Sequence, residues 1–239
     1  MKILKFGGKS LANGEGLQKV IQTIAQKYFN NEPIAVVVSA RGNATDELLI
    51  LLKKAQVKIE FKSDFEQFKK YQLEGLKENI FEEEFSTLHK LFEGVSLLGD
   101  YSEKIKDQVI AFGEILSAKY IAHVLNENSI KAQFTDTRQL IKTDDNFGNA
   151  QPIEEISKQN VIAYFEKNQD KINIITGFIG SNLQNETTTL GRNGSNYTAS
   201  LVANYLDAEE FQNYTHVDGI FTANPDLVAD AKKIERLSF

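Results

Sequence analysis

The chain has 239 residues, with 27 lysines and arginines against 33 aspartates and glutamates, a net charge of −6 and a pI near 5.3. That length buries a sizeable core without staples, and the acidic balance argues against a dedicated nucleic-acid or anionic-membrane binder, which carries clustered positive charge. With no cysteines there are no disulfides, Fe–S clusters or thiolate zinc sites, and His89, His123 and His216 lack metal-ligand spacing, so no metal site is expected from protein ligands alone.

The first residues hold no apolar stretch of signal-peptide length, and nothing approaches ~18 consecutive apolar residues, so no membrane span is predicted. A cytoplasmic setting with small molecules or proteins as partners is the expectation. Residues 3–6 read as a short strand stopped by Gly7 and Gly8. Leu17, Val20, Ile21, Ile24, Ala25 and Tyr28 then keep helical spacing over 15–29. Residues 34–38 are an uninterrupted apolar run, mostly β-branched, which needs cover on both faces and predicts a buried strand. A polar loop leads to a helix over 47–55.

Between 58 and 92 the composition turns to Lys, Glu, Phe and Leu with Gly75 as the one glycine, which predicts one or two amphipathic helices laid on the domain. A helix over 102–126, interrupted near Gly113, follows from the spacing of Ile105, Val109, Ile110, Ile115, Leu116, Tyr120, Ile121 and Val124. Alternation over 130–134, a helix over 152–167, a buried strand at 172–176, a strand at 187–190, a helix over 196–206 and a strand near 214–217 complete the pattern. Strands alternating with helices predict an α/β fold with a mainly parallel sheet. No internal repeat or linker divides the chain, so one α/β domain carrying a helical insertion is expected.

Three loops suit chemistry. The first runs through Lys5, Phe6, Gly7, Gly8, Lys9 and Ser10, where a strand gives way to a helix. Glycines there let backbone N–H groups approach a phosphate, and Lys5 at the strand end suits a transferred phosphoryl group. A P-loop would also need glycine at position 3, where Ile3 stands, so that motif fails on spacing and an ordinary strand-to-helix turn fits equally well. The second runs through Gly191, Arg192, Asn193, Gly194 and Ser195 into a helix; Arg192 is one of only four arginines, and its planar fork grips carboxylates as lysine does not. A surface arginine in a turn suits this loop equally. The third is Ser39 to Thr45, with Glu114 able to add a carboxylate. Loops at the carboxyl ends of parallel strands converge on the ligand crevice of open α/β sheets.

In combination these segments resemble the aspartokinase branch of the amino acid kinase family. The resemblance rests on Lys5-Phe-Gly-Gly-Lys-Ser10, Ser39-Ala40 with Thr45, Phe112-Gly-Glu114 with Ser117, Gly177-Phe-Ile-Gly180, Leu190-Gly-Arg-Asn-Gly-Ser195 and Thr215-His-Val-Asp-Gly-Ile-Phe-Thr222, in that order along the chain. It implies a three-layer αβα sandwich of the carbamate kinase-like type, and transfer of the γ-phosphoryl of ATP, with Mg²⁺, to the side-chain carboxylate of L-aspartate. Residue by residue it implies Lys5 and Asn196 as catalytic. Ser39, Thr45, Glu114 and Arg192 would take aspartate, and Gly7, Gly8, Lys9, Ser10, Thr215, His216 and Phe221 the nucleotide.

The Arg-Asn-Gly form of the second loop looks most like the enzymes fused to homoserine dehydrogenase. The resemblance also implies self-association and truncation of the kinase domain near its C-terminal end, with regulatory ACT domains outside 1–239; the helical insertion, read from composition, is expected at 58–100.

Departures accompany it. Lys9 replaces the family's threonine and Asn196 its aspartate. In the nucleotide segment His216, Phe221, Asn224 and Asp226 replace aspartate, tyrosine, aspartate and arginine in turn. These changes do not make the site more negative on balance, and Lys9 is expected to stand in for the lost arginine. Two other readings remain open on the residues: an amino acid kinase for glutamate, acetylglutamate or a nucleoside monophosphate, and a non-catalytic kinase-fold module for ligand binding or assembly.

Overall fold

The computed structural model describes residues 1–215, 219–223, 227–228 and 230–234. Strand β1 (Lys2–Phe6) leads to α1 (Glu15–Phe29) and then β2 (Ile34–Val38). Five helices follow without an intervening strand: α2 (Ala44–Gln56), α3 (Lys62–Leu73), α4 (Glu82–Leu98), α5 (Glu103–Ile110) and α6 (Phe112–Glu127). The chain returns through β3 (Ala132–Thr135), α7 (Glu154–Lys167), β4 (Ile172–Thr176), the short strands β5 (Ile179–Ser181) and β6 (Thr187–Thr189), α8 (Gly194–Tyr205) and β7 (Glu210–Tyr214). Two further short strands are β8 (Ile220–Phe221) and β9 (Lys233–Ile234).

The main sheet is wholly parallel, in the order β3-β4-β2-β1-β7, with Lys5 opposite Val37 on one side and Asn213 on the other. Strand side chains alternate between faces, so one apolar run feeds two cores. Leu4, Phe6, Val36, Val38 and Ile174 join the layer that includes α1, α2 and α6, while Ile3, Ala35, Val37 and Ile175 join α7 and α8. The sheet is therefore covered on both faces, which is why 34–38 carries no polar residue and why Asn173 within 172–176 is buried with its side chain hydrogen-bonded to Gln133 and Thr135. Among the described residues no helix is long and apolar enough to cross a membrane.

The expected strand 34–38 and helix 15–29 match their elements residue for residue. Helix α2 begins three residues before the expected 47, because Asp46 and Glu47 occupy its first turn, where carboxylates complement the helix dipole. The 58–92 stretch is two helices separated around Gly75, at φ +85°, and the second continues to Leu98 before Gly99 ends it in the left-handed region. Their phenylalanines form an aromatic cluster, with Phe65 and Phe92 at 5.5 Å and Phe81 and Phe85 at 5.7 Å, continuous with the larger core.

The break between α5 and α6 falls at Ala111, two residues before Gly113. The last sheet strand occupies 210–214, earlier than the expected 214–217; as an edge strand with exposed Glu210, Phe211 and Asn213 it lacks the apolar signature of its neighbours, and 216–217 lie outside the described residues.

Candidate active site

β1, β2 and β4 end side by side, and the loops that leave them meet. Lys5, one residue before the end of β1, is 7% exposed, and burial alone pulls its ammonium below the ordinary lysine range. After β1 the chain turns through Gly7 and Gly8. A Cβ on Gly8 would lie 2.8 Å from the Ala40 carbonyl oxygen, so only glycine lets this turn meet the loop after β2. The Gly42 N–H donates to the Gly8 carbonyl at 3.0 Å and fastens the two loops together.

Helix α6 supplies the carboxylate. Gly113 lets its first turn approach Ala40, where a Cβ would stand 2.8 Å from the Ala40 methyl. The next residue, Glu114, is 3% exposed; its Oε1 accepts the Ala40 N–H at 3.1 Å and its Oε2 has no partner among the described residues. Burial pushes this carboxyl up to about 8, partly opposed by the Ala40 N–H and the Glu114 N–H. A buried carboxyl with one unsatisfied oxygen is a ready acceptor for a substrate cation.

Helix α8 closes the third side. Asn193 at its start is in the left-handed region with φ 60°, and no side chain caps the helix, so its positive N-terminal end is open to an anion. Gly194, Ser195 and Asn196 border the same cavity as Lys5, Gly8, Ser39, Thr45 and Glu114, a space of about 350 Å³. The Asn196 Oδ1 is buried there without a partner among the described residues.

Of the expected site residues, Lys5, Gly8, Ser39, Thr45, Glu114 and Asn196 are thus brought together. Arg192 is not: it is exposed, between Gly191 and Asn193, which do line the cavity. Lys9, Ser10 and Thr215 line a separate cavity of about 390 Å³ between α1 and β7, walled by Phe6 and Tyr214, whose rings stack at 4.6 Å. The Gly7 N–H donates to the Tyr214 carbonyl at 3.4 Å. His216 and the Phe221 side chain lie outside the described residues, as do Asn224 and Asp226.

Residues that were given no role from the sequence also border the main cavity, among them Asp46, Phe178 and Ser195. Asp46 directly follows Thr45 and was legible as its neighbour; Phe178 and Ser195 stand within motifs read from the sequence, without a role of their own there. Buried Asp107 on α5 also escaped notice. It accepts the N–H groups of Gly148 and Thr189 and the Thr189 hydroxyl, which anchors the strand that feeds the arginine loop. A larger groove of about 1080 Å³ runs between α3 and α4, but none of the expected site residues reaches it.

Among the described residues no cluster of three or more His, Asp or Glu side chains is placed to cage a metal. Asp46 and Asn196 offer the cavity oxygen donors, a set that suits Mg²⁺ arriving on a nucleotide's phosphates. A buried ammonium, a helix N-terminus and an unsatisfied carboxyl around one small cavity suit a ligand with both an anionic and a cationic end.

The sequence pattern of the amino acid kinase family matches residues 1–239. The chain belongs to the amino acid kinase family. The fold of this amino acid kinase domain is similar to that of E. coli aspartokinase III in complex with aspartate and ADP, with a TM-score of 0.87 and 30% identity over 98% of this chain and 53% of that one. In sequence the domain is 34% identical to the aspartokinase of Rickettsia felis, over 99% of its length and 49% of the relative's. It is 30% identical to the bifunctional aspartokinase/homoserine dehydrogenase of Buchnera aphidicola, over 100% of its length and 31% of that protein. The chain spans about half the length of most of the curated relatives it matches.

Proposed function

We propose that this domain transfers the γ-phosphoryl of ATP to the side-chain carboxylate of L-aspartate, giving 4-phospho-L-aspartate and ADP. A carboxylate oxygen attacks the γ-phosphorus, and the bond from that phosphorus to the oxygen bridging it to the β-phosphate breaks, with its electron pair leaving on ADP. The attacking carboxylate has a reference pKa of about 3.9 and is already ionised at neutral pH, so no general base is required. Catalysis reduces to holding two anions in line and neutralising the charge between them.

The observation that carries this reading is Glu114, which borders the same cavity as Lys5 and has one carboxyl oxygen without a partner among the described residues. The substrate's α-ammonium pairs with Glu114 and favours its ionised form, so that the carboxyl's proton is released to solvent. Ser39 and Thr45 hydrogen-bond the substrate, and Arg192 at the rim offers its fork to a carboxylate. Lys5, Asn196 and the N-terminus of α8 receive the phosphoryl group, with Gly7, Gly8, Lys9, Ser10, Thr215, His216 and Phe221 assigned to the nucleotide. Mg²⁺, when bound, neutralises phosphate charge.

In this reading residues 1–239 are one amino acid kinase domain of a cytoplasmic protein, the helices of 58–100 are an insertion in it, and no regulatory ACT domain is assigned to these residues. The likeness to the Buchnera protein supports a fused homoserine dehydrogenase as the domain's setting; self-association is the further expectation, to be checked by light scattering. Calorimetric titration with L-aspartate and, separately, with Mg²⁺·ADP tests the reading, together with a coupled assay of ADP formation. Binding of both ligands and turnover on aspartate support it. Binding of neither points instead to a non-catalytic module, and turnover on another amino acid but not on aspartate assigns a different kinase.

A further inference from the structure

Arg41 stands at the centre of the substrate loop, yet it points away from the cavity. Its neighbours do the visible work: the Ala40 N–H is held by Glu114 Oε1, and the Gly42 N–H is bonded to Gly8. The guanidinium turns inward and is fully buried, the largest side chain to be so among the described residues. One terminal nitrogen donates to the Gln72 carbonyl at 3.0 Å, near the end of α3, and the other to the Asn13 Oδ1, beyond the first glycine loop. Its carbon lies 3.7 Å from the centre of the Tyr120 ring and 5.6 Å from that of Tyr71. Nε has no partner among the described residues, and no carboxylate forms an ion pair with the group there; Glu74 is engaged instead by the Asn13 amide at 2.6 Å.

Burying a cation with no carboxylate in direct contact is costly, and a core position in an α/β domain does not require it. The arrangement has a different use. Three segments meet at Arg41: the loop of 39–45, the turn that ends at Asn13, and the C-terminal end of α3. A rigid fork with two aromatic faces fixes all three at once, which lysine does not do. Gly42, at φ +56°, depends on the same wall, since a Cβ there would collide with the Tyr71 hydroxyl.

We propose that Arg41 is a positioning residue for the amino-acid substrate. It pins the 39–45 loop so that Ser39, Thr45 and the Ala40 N–H are held ready, and through Ala40 it fixes the orientation of the Glu114 carboxyl. The inference rests on the aspartate kinase reading for the identity of the substrate, but not for the anchoring itself. It acts on substrate binding more than on phosphoryl transfer, because Lys5 and α8 are held by other parts of the fold.

The test compares wild type with Arg41→Met and Asn13→Ala by steady-state kinetics and by amide hydrogen exchange. In Arg41→Met, which removes the hydrogen bonds to Gln72 and Asn13, the aspartate KM is expected to rise about tenfold, while kcat and the ATP KM stay within about threefold. Amide exchange is expected to speed up in 39–45 and around residue 13, with the β2 and β4 strands unchanged. An unchanged KM and unchanged exchange overturn the proposal. So does a uniform loss in kcat and in both KM values with faster exchange throughout the sheet, the mark of a purely structural core residue.

Should Arg41→Met not fold, Asn13→Ala keeps the arginine and removes one acceptor, and the same two readouts decide, in the same direction and smaller. If wild type does not turn over aspartate, the kinase reading fails, and exchange in 39–45 alone decides whether Arg41 is the anchor.

Discussion

Glu114 and Ala40 are 74 residues apart and meet through one hydrogen bond, the Ala40 N–H to Glu114 Oε1 at 3.1 Å. The bond fixes half of a buried carboxyl and leaves the other oxygen without a partner among the described residues. That asymmetry gives the site its acceptor and also makes it sensitive to pH.

Between the ordinary value of 4.5 and about 8, folded Glu114 holds a proton that the unfolded chain has released. Stability contributed by this group therefore falls as pH rises through that window. Glu114→Gln keeps the acceptor for Ala40 and removes the titration. It is expected to melt above wild type at pH 8.5, to match it near pH 5, and to lose aspartate affinity by about a hundredfold, the cost of removing one charged acceptor. Thermal melts at the two pH values check the first part; a variant less stable than wild type at high pH would contradict it.

Aspartate binding near pH 7 is expected to release a proton, because the incoming ammonium favours ionised Glu114. Calorimetry in two buffers of different ionisation enthalpy reads this directly. Heats that do not depend on the buffer would remove Glu114 as the ammonium's partner.

Lys5→Met separates chemistry from substrate binding. If Lys5 faces the transferred phosphoryl group as proposed, its loss lowers kcat by about 10²–10³-fold. Aspartate affinity should stay close to wild type, and the melting temperature should hold or rise, since a buried ammonium with no ion pair among the described residues is replaced by an apolar chain. A fall in aspartate affinity as large as the fall in kcat would place Lys5 in substrate binding instead.

Gly113→Ala puts a methyl 2.8 Å from the Ala40 methyl. Helix α6 or the loop must then shift, at a cost of about 1–3 kcal/mol. Denaturant unfolding should register the loss, and aspartate KM should rise with it; an unchanged KM would mean that the Glu114 to Ala40 contact tolerates the shift.

Lys9→Thr restores the family's residue in the cavity shared with Ser10 and Thr215. If Lys9 compensates for the altered nucleotide segment, Mg²⁺·ADP affinity falls by about tenfold or less, as for one exposed charge on a phosphate, and weakens further with salt. An affinity and turnover equal to wild type would end the compensation idea.

The local signals in this sequence were reliable where one stretch of chain decides the outcome. Residues 34–38 are apolar on both faces and 172–176 carry three isoleucines, and both form interior strands of the sheet; the 3.6-residue spacing of 15–29 sets α1 without help from its neighbours. The glycine loops, Lys5 and Glu114 were legible as motifs because close backbone approach and a charged group at a strand end leave a mark in the residue types themselves. The edge strand β7 was misplaced because half-exposed residues carry no apolar pattern.

Tertiary structure alone decided which way each side chain faces and what it meets. It turned Arg41 inward onto two tyrosines while its neighbours border the cavity, left Arg192 exposed at the rim, and divided the expected nucleotide residues between two cavities. Composition and spacing fix the period of an element, but the direction of a loop side chain depends on glycine backbone angles and on contacts tens of residues away. Those contacts, of which Glu114 with Ala40 is the clearest, exist only once the sheet has brought its strand ends together.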